Sequence, residues 1–202
     1  MLFNEVTKQA FVFPPKTGSH TVKEFLKKKN WNECASLDWH DFTDCLIEKL
    51  PKDDNYTIYG FFRNPLTRFE SGILFIKQHV MSNYYFSELL RSNRINIQVK
   101  NISYDEVVDL FDLINTDTFF NILFLPQIRW LDHSKVTMLD FDKFEYELRR
   151  VSNDLTTPIP FKNVSSSVGK SVVTNKVRDF VAQKYAEDYR YAKKAIGKEY
   201  LQ

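Results

Sequence analysis

Short apolar runs alternate with longer segments of helical period along this chain. Gln9–Phe13 is a brief β-prone run, followed at once by the amphipathic stretch Ser19–Lys29. Residues 31–40 are ambiguous and include part of a second strand, and Asp41–Leu50 is a short helix stopped by Pro51. Tyr56–Phe62 is apolar on both parities, the pattern of a strand buried on two faces. Pro65 to Val80 is a helix with proline at its first position. Ser103 and Glu106 form a capping box that opens an amphipathic helix to Asn115. Lys135–Leu139 alternates as a strand does, Lys143–Val151 is helical, and Thr174–Ile196 is one long helix stopped by Gly197. Residues 81–101 and 153–173 are polar connections. Strands alternating with helices predict an α/β fold whose sheet is parallel at its centre. Ligands in such sheets bind beyond the carboxyl ends of strands.

Two candidate anion loops stand at such ends. The first is Pro14-Pro15-Lys16-Thr17-Gly18-Ser19-His20-Thr21, between the first strand and the first helix. The N–H groups that open a helix have no partner within it and favour an anion in front of them. Hydroxyls at Thr17, Ser19 and Thr21 add donors, Gly18 lets backbone come close, and Lys16 brings a mobile charge. The second is Arg63-Asn64-Pro65, after Tyr56–Phe62, with Ser71 eight residues beyond Arg63. An arginine fork with a hydroxyl suits a phosphate dianion, provided the chain bends to bring Ser71 back. Neither loop is the G-x-x-x-x-G-K-[ST] phosphate loop, because Lys16 precedes the only nearby glycine. Gly169-Lys170-Ser171 copies only the end of that motif, with Val164 in place of the earlier glycine. It is read as a flexible loop bringing Lys170 to the cofactor.

Pro15-Lys16-Thr17-Gly18-Ser19-His20-Thr21 resembles the phosphosulfate loop of sulfotransferases that use 3′-phosphoadenosine 5′-phosphosulfate (PAPS). Phe62-Arg63-Asn64-Pro65-Leu66-Thr67-Arg68-Phe69-Glu70-Ser71 resembles their 3′-phosphate motif, with the Arg-to-Ser spacing intact. Pro126-Gln127 before Trp130-Leu131, Pro160 to Ser165, and Tyr185 to Tyr189 are similar to elements of the Golgi-type carbohydrate branch. The resemblance implies a P-loop-like three-layer sandwich, a mainly parallel sheet flanked by helices, as one sulfotransferase domain over residues 1–202. It implies PAPS as co-substrate, PAP as product, no metal, and a hydroxyl acceptor, more particularly a carbohydrate. Lys16 would then steady the charge that grows on the leaving phosphate. The loop from Thr17 to Thr21 (Thr17, Gly18, Ser19, His20, Thr21) would hold the 5′-phosphate, and Arg63 with Ser71 the 3′-phosphate. Asn163 and Ser165 would close over the adenosine, or else form a serine-rich turn.

A hydroxyl acceptor needs a base. His40, between Asp38 and Asp41, stands about where related enzymes place one. Its acidic neighbours would orient the ring and favour its charged form. The other reading is a surface or capping histidine, with Asp38 and Asp41 as reserve bases. The histidine that often precedes the Pro-Gln pair in carbohydrate enzymes is missing, since Leu123-Phe124-Leu125 stand there. Gln127 either orients the acceptor or is a buried amide that ties two loops.

Composition narrows the field further. A net charge of +2 gives no bulk attraction to nucleic acid or membrane. Two cysteines, Cys34 and Cys45, make no disulfide framework and suit a reduced compartment. With no apolar run of spanning length, a cytoplasmic, soluble protein is expected, whereas the Golgi enzymes carry an anchor. Two rivals remain: a nucleotide kinase-like phosphotransferase, and a non-catalytic nucleotide-binding protein of the same fold.

Overall fold

The computed structural model describes residues 1–34, 40–51, 55–160 and 172–200. In chain order the elements are β1 (Leu2–Asn4), β2 (Gln9–Phe11), α1 (Ser19–Lys27), β3 (Asn32–Glu33), α2 (Thr43–Lys49) and β4 (Thr57–Phe62). Then come α3 (Pro65–Gln78), α4 (Val80–Ser92), α5 (Tyr104–Asp109), α6 (Phe111–Thr116) and α7 (Thr118–Phe124). The chain closes with α8 (Ile128–Leu131), β5 (Val136–Asp140), α9 (Phe144–Ser152), α10 (Asn175–Lys184) and α11 (Ala186–Ile196). The described residues fall into two compact units. Of the described residues, one draws on those within 1–64, 125–160 and 187–200, the other on those within 65–124 and 172–186.

The first unit is α/β and holds the sheet, ordered β3-β1-β2-β4-β5. Three strands, β2, β4 and β5, run parallel in the registers Ala10↔Ile58 and Gly60↔Met138. The other two make the sheet mixed rather than mainly parallel. β1 pairs antiparallel with β2 (Leu2↔Phe11) and with β3 (Phe3↔Asn32). The cause is a hairpin at the start of the chain. Asn4 Oδ1 accepts from the N–H of Val6 and of Thr7, both at 3.0 Å, and Lys8 turns left-handed at φ +51°.

Alternate strand residues face opposite sides of the sheet. Phe11, Phe13 and Phe61 pack with Val22, Phe25 and Leu26 of α1 and with Leu148 and Val151 of α9, all buried. The apolar spacing 22, 25, 26 gives α1 its buried stripe. Removing an aromatic of this size from water contributes about 1.5–3 kcal/mol. On the other parity, Gly60 leaves room for α8. A Cβ there would collide with Leu131 Cδ2 and come 3.0 Å from Val12 Cγ2.

The second unit is helical. Phe69 of α3 packs against Phe111, Phe124 and Phe180, with ring centroids 6.5, 5.4 and 5.7 Å away. Gly72 seats the Phe124 ring, which a Cβ would approach to 2.9 Å. The capping box at Ser103 forms as expected: Glu106 N–H donates to Ser103 Oγ, and Ser103 N–H to Glu106 Oε2 at 2.7 Å. Its helix breaks at Leu110, so residues 104–116 make two helices. The expected long final helix is likewise two, separated at Tyr185, whose backbone leaves the helical region (φ −113°, ψ 26°). Tyr185 is held there by its buried ring and by its hydroxyl, which donates to Phe124 O at 2.8 Å. Residues 81–101 are no simple connection. They carry most of α4, whose N-cap is the His79 side chain accepting from Ser82 N–H, and a 3₁₀ turn at Val99–Asn101.

Neither Cys34 nor Cys45 is in a disulfide among the described residues. Among the described residues no helix is long and apolar enough to cross a membrane.

Candidate anion-binding site

Parallel pairing puts the carboxyl ends of β2 and β4 side by side. The pairing runs past the last β2 residue, since Val12 N–H donates to Tyr59 O at 2.9 Å. The Lys16 loop begins there. Lys16 is left-handed at φ +69° and Gly18 at φ +82°, with Thr17 between them at negative φ. Turns built on left-handed residues are one way in which successive backbone N–H groups gather into an anion-binding concavity. A left-handed lysine costs about 1–2 kcal/mol, so packing must hold it. The holding contact below is local: Thr17 Oγ1 donates to Pro14 O at 2.6 Å, and the side chain is buried. With its proton turned inward, Thr17 offers an anion its backbone N–H rather than its hydroxyl. Gly18 is fixed by position as well as by φ, because a Cβ would lie 2.7 Å from Phe144 Cε2. Gly18 caps α1, and Val22 N–H returns to Gly18 O at 3.1 Å. Ser19 and Thr21 are buried in the first turn, and His20 is exposed. Desolvation holds the His20 imidazole below its usual range, and the charges of Lys16 and then Lys23 add to this.

Arg63 follows the last residue of β4 and joins the two candidate loops. Its Nη1 donates to Lys16 O at 3.0 Å, and the guanidinium carbon lies 4.9 Å from the centre of the Phe141 ring. A half-buried arginine on an aromatic face is held in a defined plane. Ser71 is buried on α3 in the other unit.

His40 reaches the same loop from another segment. Its Nδ1 lies 2.7 Å from Phe13 O, and its own carbonyl accepts from Trp130 Nε1 at 2.9 Å. A carbonyl oxygen only accepts, so Nδ1 carries the proton of the neutral ring. Nε2 is then the basic nitrogen. Asp41 is half-buried beside it. Asp38 lies outside the described residues, as do Asn163, Ser165 and Lys170.

Gln127 is fully buried and ties two loops. Its Oε1 accepts from Arg63 N–H at 2.9 Å, and its Nε2 donates to Arg63 O at 2.8 Å. Asp188 stands behind it. This buried carboxylate accepts from Gln127 N–H at 2.9 Å and from Ile128 N–H at 3.0 Å.

The structure therefore brings Lys16, Thr17, Gly18, Arg63, His40 and Gln127 to one end of the sheet. Sequence reasoning did not assign Asp188 or Phe141. Asp188 lies in the stretch Tyr185 to Tyr189, but nothing local in it marks one carboxylate as a backbone acceptor. Phe141 reads in sequence only as another apolar residue after a strand.

Comparison with family models, with curated proteins and with solved structures finds no match to this chain.

Proposed function

We propose that this chain is a PAPS-dependent sulfotransferase that sulfates a hydroxyl, most specifically that of a carbohydrate, and releases PAP. One observation supports the reading above the rest. The two loops singled out separately in the sequence meet, through Arg63 Nη1 on Lys16 O, at the carboxyl ends of adjacent parallel strands. In this reading the first unit is a variant of the P-loop-like three-layer sandwich, with an antiparallel hairpin added at one edge.

The donor set fits a nucleotide with two separate anionic groups. Backbone N–H groups from Thr17 to Thr21 receive the 5′-phosphate, and Lys16 brings the mobile charge. Arg63 receives the 3′-phosphate. In the reaction, a bond forms between the acceptor oxygen and sulfur while the bond from sulfur to the phosphate oxygen breaks. Negative charge grows on that leaving oxygen, where Lys16 acts as a positioned cation. His40 Nε2 takes the acceptor proton, its ring held by the bond from Nδ1–H to Phe13 O.

The test is incubation with sulfur-labelled PAPS and a panel of glycan and small hydroxyl acceptors, read as labelled product and PAP. Acceptor-dependent turnover supports the proposal. Tight PAP binding without turnover on any acceptor favours a binding protein, and preference for ATP over PAP favours a kinase-like phosphotransferase.

A further inference from the structure

We infer that Asp188 and Gln127 are positioning residues for Arg63, setting the face of the sheet from which its guanidinium emerges. The inference rests on the proposed role of Arg63 for its ligand, but not for its geometry.

The β4–β5 ladder ends at the pair Phe62↔Asp140, so Arg63 is the first residue past it. A chain leaving a ladder is free to rotate, and one peptide's rotation sends the side chain elsewhere. Here the Gln127 carboxamide supplies both halves of a missing rung, accepting from Arg63 N–H and donating to Arg63 O. A side-chain amide in that place mimics a neighbouring strand and keeps residue 63 in the pleat. Pleat alternation then puts Arg63 on the face of Phe61. That is where its landing site lies. The Phe141 ring sits 6.3 Å edge-on from Phe61 and 4.9 Å from the Arg63 guanidinium carbon. Lys16 O completes the seat at 3.0 Å.

Gln127 does this only if its own backbone is fixed. Asp188, from α11, supplies that by accepting the N–H groups of Gln127 and Ile128 on its two oxygens. A carboxylate with no exposed surface is costly unless its oxygens are bonded. A cap that served only the four-residue α8 would not need a glutamine whose amide reaches back to Arg63.

The test uses the full chain carrying Gln127→Met, which keeps volume and removes both bonds, and separately Asp188→Asn, which removes one acceptor. Three quantities are read: thermal unfolding, the Arg63 Nε–H resonance in arginine-labelled protein, and the ratio of PAP to adenosine 5′-phosphate affinity. The expected result is a folded variant whose Arg63 resonance moves to the solvent-exposed position. The affinity ratio falls by about tenfold, as for losing one charge-assisted bond. Adding Gln127→Met to Arg63→Ala should cost the ratio nothing further. A lower melting temperature with an unmoved resonance and an unmoved ratio would overturn the inference, because that is what a merely structural cap predicts. Losses that add in the double variant would overturn it too. If the wild type binds both nucleotides equally, the sulfotransferase reading falls, and the Arg63 resonance alone decides the positioning role. If Gln127→Met does not fold, Asp188→Asn carries the same decision.

Discussion

Arg63 and Arg68 are five residues apart, both bond a main-chain carbonyl, and they live in different chemistry. Arg63, in the α/β unit, is half-buried on an aromatic face and donates to Lys16 O. Arg68, in the helical unit, is 1 % exposed and donates to Leu123 O at 3.1 Å. Their surroundings repeat the contrast. In the helical unit Lys77 donates to Ile102 O at 2.9 Å and Thr174 to Asp105 at 2.6 Å, while Tyr185 secures Phe124 O. There, polar groups close helix ends and loops. In the α/β unit Arg63 and His40 bond carbonyls of the segment that follows β2, where Lys16 and Gly18 are left-handed. Residue type alone would have ranked the two arginines equally; the partner and the access to solvent separate them.

The largest effect that would break this contrast is at His40. His40→Ala should lower turnover by ~100- to 10,000-fold with PAP affinity unchanged. The wild-type rate should rise with pH as the ring loses its proton, since only neutral imidazole accepts one, and the variant should lose that rise. Steady-state rates across pH 5–9 check both; unchanged rates with an unchanged profile would pass the role to Asp41 or Asp38. Next is Lys16→Ala, expected to cost turnover about 100- to 1,000-fold, the range for removing one preorganised charge-stabilising donor. Thermal unfolding should change little, because Lys16 is half-buried and its carbonyl contact to Arg63 is backbone.

Arg68→Ala sharpens the comparison from the other side. It should lower unfolding stability by about 1.5–3 kcal/mol, the worth of a bond from a charged donor. PAP affinity should hold, measured by calorimetry below the melting temperature. If it collapses instead, the two arginines do not divide as argued.

The smallest effect lies at Tyr200. Its ring stacks on Phe62, with centroids 5.9 Å apart. Desolvation, against the opposing charge of Lys198 and with smaller help from Asp140 and Asp142, pushes its phenol up to about 12. A folded pKa above the unfolded value of 10.0 stabilises fully below pH 10. That stability is lost as pH rises through about 12. Tyr200→Phe should therefore flatten the alkaline decline of the melting temperature and leave it unchanged at pH 7.

Much of this was legible in the chain. The strand Thr57–Phe62, the helix after Pro65, the Ser103 capping box and the start of α1 carry strong local signals, and all form. The first hairpin was not legible, because β1 is three residues and too short to show a period. Helix α4 was hidden by Ser82, Asn83, Tyr84 and Tyr85, none a strong helix former. The breaks at Leu110 and Tyr185 depend on tertiary packing that propensity does not see. At the site, Lys16 and Arg63 announced themselves by type and position. Gln127 stood out beside them but its role did not, because its partners Arg63 and Asp188 lie about sixty residues away on either side. Local sequence leaves such an amide between two roles, and only the paired bonds to Arg63 identify the tie.

The central claim is that the Lys16 loop and Arg63 form one site for a nucleotide bearing a 3′-phosphate. Calorimetric titration of wild type and Arg63→Ala with PAP and with adenosine 5′-phosphate tests it most directly, since these ligands differ only in that group. The wild type should prefer PAP by about tenfold or more. Arg63→Ala should lose that preference while keeping its affinity for adenosine 5′-phosphate. Equal losses for both ligands, or a wild type indifferent to the 3′-phosphate, would contradict the account.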